Sequence, residues 1–107
     1  MQANSWFIKH PYGEMDDGVS LSQFEDLYEE RNEGDDEHFG VSVTHESHWS
    51  LGLYPNETLV WENLEDNKNT PRHMKDVSKE KVLGLWTKLA QGKIEEINSE
   101  FWLEGYY

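Results

Sequence analysis

Eleven carboxylates crowd one short stretch of this chain: Glu14, Asp16, Asp17, Glu25, Asp26, Glu29, Glu30, Glu33, Asp35, Asp36 and Glu37. Arg31 is the one base among them. Such side chains do three kinds of chemistry. They ligate hard cations, they exchange protons with a neighbouring histidine, and they attract basic protein surfaces. Spacing argues against the first. Asp16-Asp17 and Asp35-Asp36-Glu37 lack the alternating oxygen ligands of a helix-loop-helix calcium site, so no metal is expected. Glu25 with Glu29, and Asp26 with Glu30, stand one helical turn apart as like charges, a cost of about 0.2–0.5 kcal/mol per pair. A segment that keeps this cost is expected to use its charge. Two readings stand side by side: a solvated helix face with acidic loops, or a docking surface for a basic protein. The docking reading assigns partner contact to Asp16, Asp17, Glu25, Asp26, Glu29, Glu30, Glu33, Asp35, Asp36, Glu37 and the aromatic Tyr28.

The histidines offer the other chemistry. His45-Glu46-Ser47-His48 is one residue short of the spacing that sets two histidines one helical turn apart on a zinc ion, and it falls between strands. His45 or His48 beside a carboxylate could serve as an acid–base group. No nucleophile or glycine-rich phosphate cradle completes a catalytic set, so the chain is read as a non-enzyme with no cofactor. A small metal-dependent hydrolase built on His45 and His48 stays open as the alternative. Asn56-Glu57-Thr58 matches a glycosylation acceptor but is read here as a turn.

Composition bounds the partners. Lys plus Arg is 9 and Asp plus Glu is 22, a net charge of −13 over 107 residues. The remaining eleven acids meet eight bases, so the excess lies at the front of the chain. Phosphate would be repelled and no basic face could release counterions, which excludes direct nucleic-acid binding. A protein that mimics nucleic acid to occupy a basic partner is compatible with the same charge. Cysteine is absent, removing disulfides, thiolate–zinc sites and thiol catalysis. No apolar run approaches the ~20 residues of a membrane span, and the first residues lack the basic start and apolar run expected of a secretory signal. A cytoplasmic protein is expected.

The elements that must position these groups follow from periodicity. Length points to a single domain over residues 1–107. From Phe39 to Leu64 apolar residues alternate with polar ones. Val41, Val43, Trp49, Leu51, Leu53, Leu59 and Trp61 form one inward row, with a turn at Pro55-Asn56-Glu57. Ser5 to His10 reads as a first strand, and Glu14 to Gly18 as an acidic loop. Ser20 or Ser22 opens a helix, with Gln23 or Glu25 completing the cap. Leu21, Phe24, Leu27 and Tyr28 give it an apolar stripe, and it stops by Asn32 to Gly34. Asp66 to Arg72 reads as a mobile loop. Ser78 caps a second helix, with Val77 and Val82 as its hydrophobic staple. Val82, Leu85, Trp86 and Leu89 face the core, and Gly92 ends the helix. Lys93 to Asn98 is a further short helix, and Phe101, Trp102 and Leu103 are expected to tuck back on the core. Tyr12, Tyr54, Tyr106 and Tyr107 have no inward phase. The expected fold is α+β: an antiparallel sheet of three to four strands with helices packed on one face.

Two runs carry a family resemblance. They are Trp49-Ser50-Leu51-Gly52-Leu53-Tyr54 with Leu59-Val60-Trp61-Glu62-Asn63, and Pro71-Arg72-His73-Met74 with Val82-Leu83-Gly84-Leu85-Trp86-Thr87-Lys88-Leu89-Ala90. Together they cover roughly the second half. Here the chain resembles the small acidic immunity proteins of bacterial toxin systems, those of contact-dependent growth inhibition above all. The resemblance implies a cytoplasmic, monomeric protein that binds one cognate toxin domain in a one-to-one complex and blocks its active site. Such toxins are often basic nucleases, ribonucleases included. The charge argument agrees independently: a nuclease cleft must attract phosphate, and carboxylates can stand in for it.

Overall fold

Leu51 faces Val43 on one side and Trp61 on the other, and this register sets the centre of the fold. The computed structural model describes residues 5–18, 20–33, 40–55, 57–66 and 70–105. Its strands are β1 (Trp6–Lys9), β2 (Met15–Asp17), β3 (Val41–His45), β4 (Trp49–Tyr54), β5 (Thr58–Asn63), β6 (Arg72–Met74) and β7 (Leu103–Glu104). They form one antiparallel sheet in the order β2-β1-β3-β4-β5-β6-β7. The helices are α1 (Gln23–Glu29), continued by a 3-10 turn (Glu30–Asn32), then α2 (Lys79–Ala90) and α3 (Ile94–Asn98).

The α+β architecture is as expected, but the sheet has seven strands, not three to four. The additional strands are short and lie toward the edges. Glu14 to Gly18, read as a loop, contains β2, all three residues of which are exposed. Asp66 to Arg72, also read as a loop, runs into β6. Strands of two or three residues held by backbone pairing need no buried stripe, so they leave no alternation in the sequence.

The inward row forms as the pleat requires. Val41, Val43, Leu51, Leu53, Leu59 and Trp61 are buried, and Trp49 is partly so. Ile8 extends the row across β1. Phe24, Leu27, Val82, Leu85, Trp86, Leu89 and Ile97 from the helices complete one core. Trp86 ties α2 both to α1 and to the sheet. Its ring lies 5.8 Å from Phe24, and its indole N–H donates to the Leu51 carbonyl at 3.0 Å. Trp49, Trp61 and Trp102 stack in sequence, with centroids 4.6 and 6.3 Å apart. The sheet's other face is closed at its centre as well: Thr44, Gly52 and Val60 are buried, and the Tyr54 ring lies against Gly52.

The helix ends follow the sequence with one adjustment. Ser78 accepts from the Lys81 amide at 3.2 Å, and Val77 and Val82 are both buried. At α1 only the return half of the capping box is made, from the Ser20 amide to Gln23 Oε1 at 3.0 Å. Leu21 is exposed, not part of the stripe, because it precedes the helix. Trp102 packs on the core as expected, but Phe101 is 83% exposed and Leu103 points outward from β7. Alternation along an extended chain cannot turn all three inward.

Candidate functional site

The hairpin β1–β2 and the end of α1 enclose two neighbouring open clefts. The larger, about 330 Å³, is lined by His10, Pro11, Tyr12, Glu14, Asp16, Glu30 and Glu33. The smaller, about 180 Å³, adds Ile8, Gln23 and Asp26 to the shared His10, Asp16 and Glu30. His10 is their common floor. Trp6, Ile8 and His10 share the inward phase of β1, and the chain turns at Pro11 before the histidine can be covered by a helix.

The histidine is held at both nitrogens. Its Nδ1 lies 2.6 Å from Glu30 Oε1 and its Nε2 lies 2.7 Å from Asp16 Oδ2. The side chain is 20% exposed. Burial alone would lower its pKa, but the hydrogen bonds that Glu30 and Asp16 accept, with their charges, outweigh it and raise the pKa above the ordinary histidine value. The cleft floor is therefore an imidazole set between two carboxylates, both of which favour its protonated form.

The helix presents a second arrangement. Lys79 of α2 bridges Glu25 and Glu29, with its nitrogen 3.1 and 3.4 Å from their oxygens. Those two hydrogen bonds raise the lysine pKa, since both favour its charged form. Arg31 pairs with Glu57 at 3.0 Å and lies over the Tyr28 ring, 4.1 Å from its centroid. Lys79 approaches the same ring at 5.5 Å. Tyr28 is only 7% exposed, so it underpins the charged layer and offers no exposed aromatic to a partner. This departs from its sequence assignment; the apolar stripe of α1 carries it inward.

The acidic candidates thus divide by environment. Asp16 and Glu30 are bound to His10, and Glu25 and Glu29 to Lys79. Glu14, Asp17, Asp26 and Glu33 are exposed and, among the described residues, meet no base. Asp35, Asp36 and Glu37 lie outside the described residues, as do Tyr106 and Tyr107. Sequence reasoning missed His10 as the centre of the group; its inward phase, two residues past Ile8, was the available signal.

His45 and His48 serve separate partners. His45 Nδ1 accepts the Ser47 amide at 3.1 Å and meets the Ser47 hydroxyl at 2.7 Å. Burial pushes the His45 pKa down, against the raising effect of Glu46. His48 sits at a positive φ of 74° with its ring exposed, 3.8 Å from Glu65. Among the described residues no group of three or more His, Asp or Glu side chains is arranged to hold a metal ion. None of the described helices is long and apolar enough to cross a membrane.

No protein-family model, curated protein or solved structure matches this chain at a significant level.

Proposed function

We propose that this chain is an immunity protein that binds and neutralises a cognate basic toxin domain, a nuclease and by preference a ribonuclease, by occluding its active site with the acidic face. The observation that carries the reading is the bare rim around the His10 clefts. Glu14, Asp26 and Glu33 line these clefts and, among the described residues, pair with no lysine or arginine, while Glu25 and Glu29 of α1 are satisfied internally by Lys79. A surface of unpaired carboxylates raises the local concentration of a positively charged protein and speeds encounter. An ordinary interface of about 1,600 Å² in total is within reach of a domain this size. On this reading the chain works in the cytoplasm as a monomer in a one-to-one complex. It neither contacts nucleic acid directly nor performs catalysis.

Co-purification of the tagged chain with the products of neighbouring reading frames tests it. One basic protein should be retained in equal amount at low salt, and its nuclease activity should be blocked in the complex. Retention of no basic protein defeats the reading. Capture of many unrelated basic proteins would replace it with a general mimic of nucleic acid.

A further inference from the structure

We propose that His10 is a proton-operated latch that fastens the edge strand β2 to the 3-10 turn following α1. The inference goes beyond the binding reading and does not depend on it.

The argument is one of donors and acceptors. Asp16 on β2 and Glu30 on the 3-10 turn meet opposite nitrogens of one ring, at 2.7 and 2.6 Å. An ionised carboxylate only accepts, so each contact requires an N–H from the ring. The imidazolium has two such donors and the neutral imidazole has one. Loss of the proton turns a ring lone pair toward a carboxylate oxygen and converts one short contact from attraction to repulsion.

Asp16 and Glu30 favour the protonated, closed form, and further acids line the same clefts. Asp16 faces it from β2, Glu14 and Tyr12 from the hairpin turn, Asp26 from α1, and Glu30 and Glu33 from the 3-10 turn and its end. No base lines either cleft among the described residues. The raised pKa of His10 accords with this surrounding.

The latched element lies at the border of the sheet. β2 is three exposed residues paired only to β1. Among the described residues, Tyr12 Oη also donates to the Glu33 carbonyl at 3.4 Å and Gln23 Nε2 to the Asp17 carbonyl at 3.3 Å, from hairpin to helix. Both are long and neutral, whereas the His10 contacts are short and charge-assisted, the stronger kind.

Amide exchange across the His10 titration tests the latch. The His10 and Gly18 amides close the two ends of the β1–β2 ladder, bonding Glu14 and Trp6 carbonyls at 2.8 Å each. With the ring's protonation followed by NMR, protection at these two amides, corrected for intrinsic rates, should fall about tenfold as the proton leaves. Amides of β4 should keep their protection. In Glu30→Gln the amide can pair with a neutral ring, so the step should shrink below about twofold. Constant protection at both amides through the titration overturns the proposal. So does an undiminished step in Glu30→Gln, or a ring already neutral at about pH 6.5.

Discussion

Asn98 of α3 stands over Trp61 of β5 and accepts its indole N–H through Oδ1 at 2.8 Å. The same oxygen accepts from Arg72 Nη2 on β6, also at 2.8 Å. One carbonyl thus ties α3 to two adjacent strands. Replacing Asn98 by Leu leaves a buried N–H and a guanidinium without their acceptor, a loss of about 2–4 kcal/mol. Asn98→Asp keeps an acceptor and adds a charge for Arg72, so it should cost less than about 1 kcal/mol. Urea denaturation of the two variants distinguishes them; equal losses would show that packing, not the acceptor, matters at this position.

Stability should depend on pH with two opposed histidine contributions. The His10 pKa is raised by folding, so its contribution is complete below the unfolded value of about 6.5 and is lost as pH rises through the folded one. The His45 pKa is lowered, so its contribution is complete above about 6.5 and is lost as pH falls through the folded value. His10→Gln should therefore flatten the alkaline limb of the stability curve, and His45→Gln the acid limb. Denaturation midpoints from about pH 5 to about pH 9 read both.

Gly18 lies against the Trp6 indole so closely that an added methyl would fall 2.2 Å from the ring. Gly18→Ala should displace Trp6 from Phe24, whose centroid is 6.2 Å away, and cost about 1–3 kcal/mol. The change should appear as a shift in tryptophan fluorescence together with the lowered midpoint. An unshifted spectrum at full stability would contradict the close packing.

The bare and the paired carboxylates should differ in binding. Neutralising Glu14, Asp26 and Glu33 together as amides should slow association with a basic partner by about tenfold at low salt, with dissociation changed by less than about threefold. Neutralising Glu25 and Glu29 should slow it less, because Lys79 already offsets their charge. Stopped-flow rates at two ionic strengths check both, and equal effects from the two sets would count against steering by the rim.

How much of this was legible in the sequence depends on the kind of force involved. The centre of the sheet shows itself because the larger apolar side chains keep to one pleat face, as at Trp49, Leu51 and Leu53 between Ser50 and Gly52. The α2 stripe and the Ser78 cap are legible for the same reason: local geometry fixes which residues meet. β2, β6 and β7 were hidden because they are two or three residues long and paired through the backbone, too short to show a period. The acidic stretch was visible as charge, yet its division into paired and bare groups was not. Lys79 reaches Glu29 across fifty residues of chain, a neighbour that only the packing of α2 beside α1 supplies. Tyr28 was assigned to contact by its acidic neighbours, whereas helical phase decides its burial.

The sheet ends on one side with Met15–Asp17 and on the other with Leu103–Glu104. Each border offers only a few backbone groups, and each carries carboxylates. A second molecule trying to extend either border would gain few hydrogen bonds and bring like charges together. Growth into fibrils along the strand-stacking direction is thereby discouraged, even though the middle of the sheet is rich in the branched and aromatic residues that favour it.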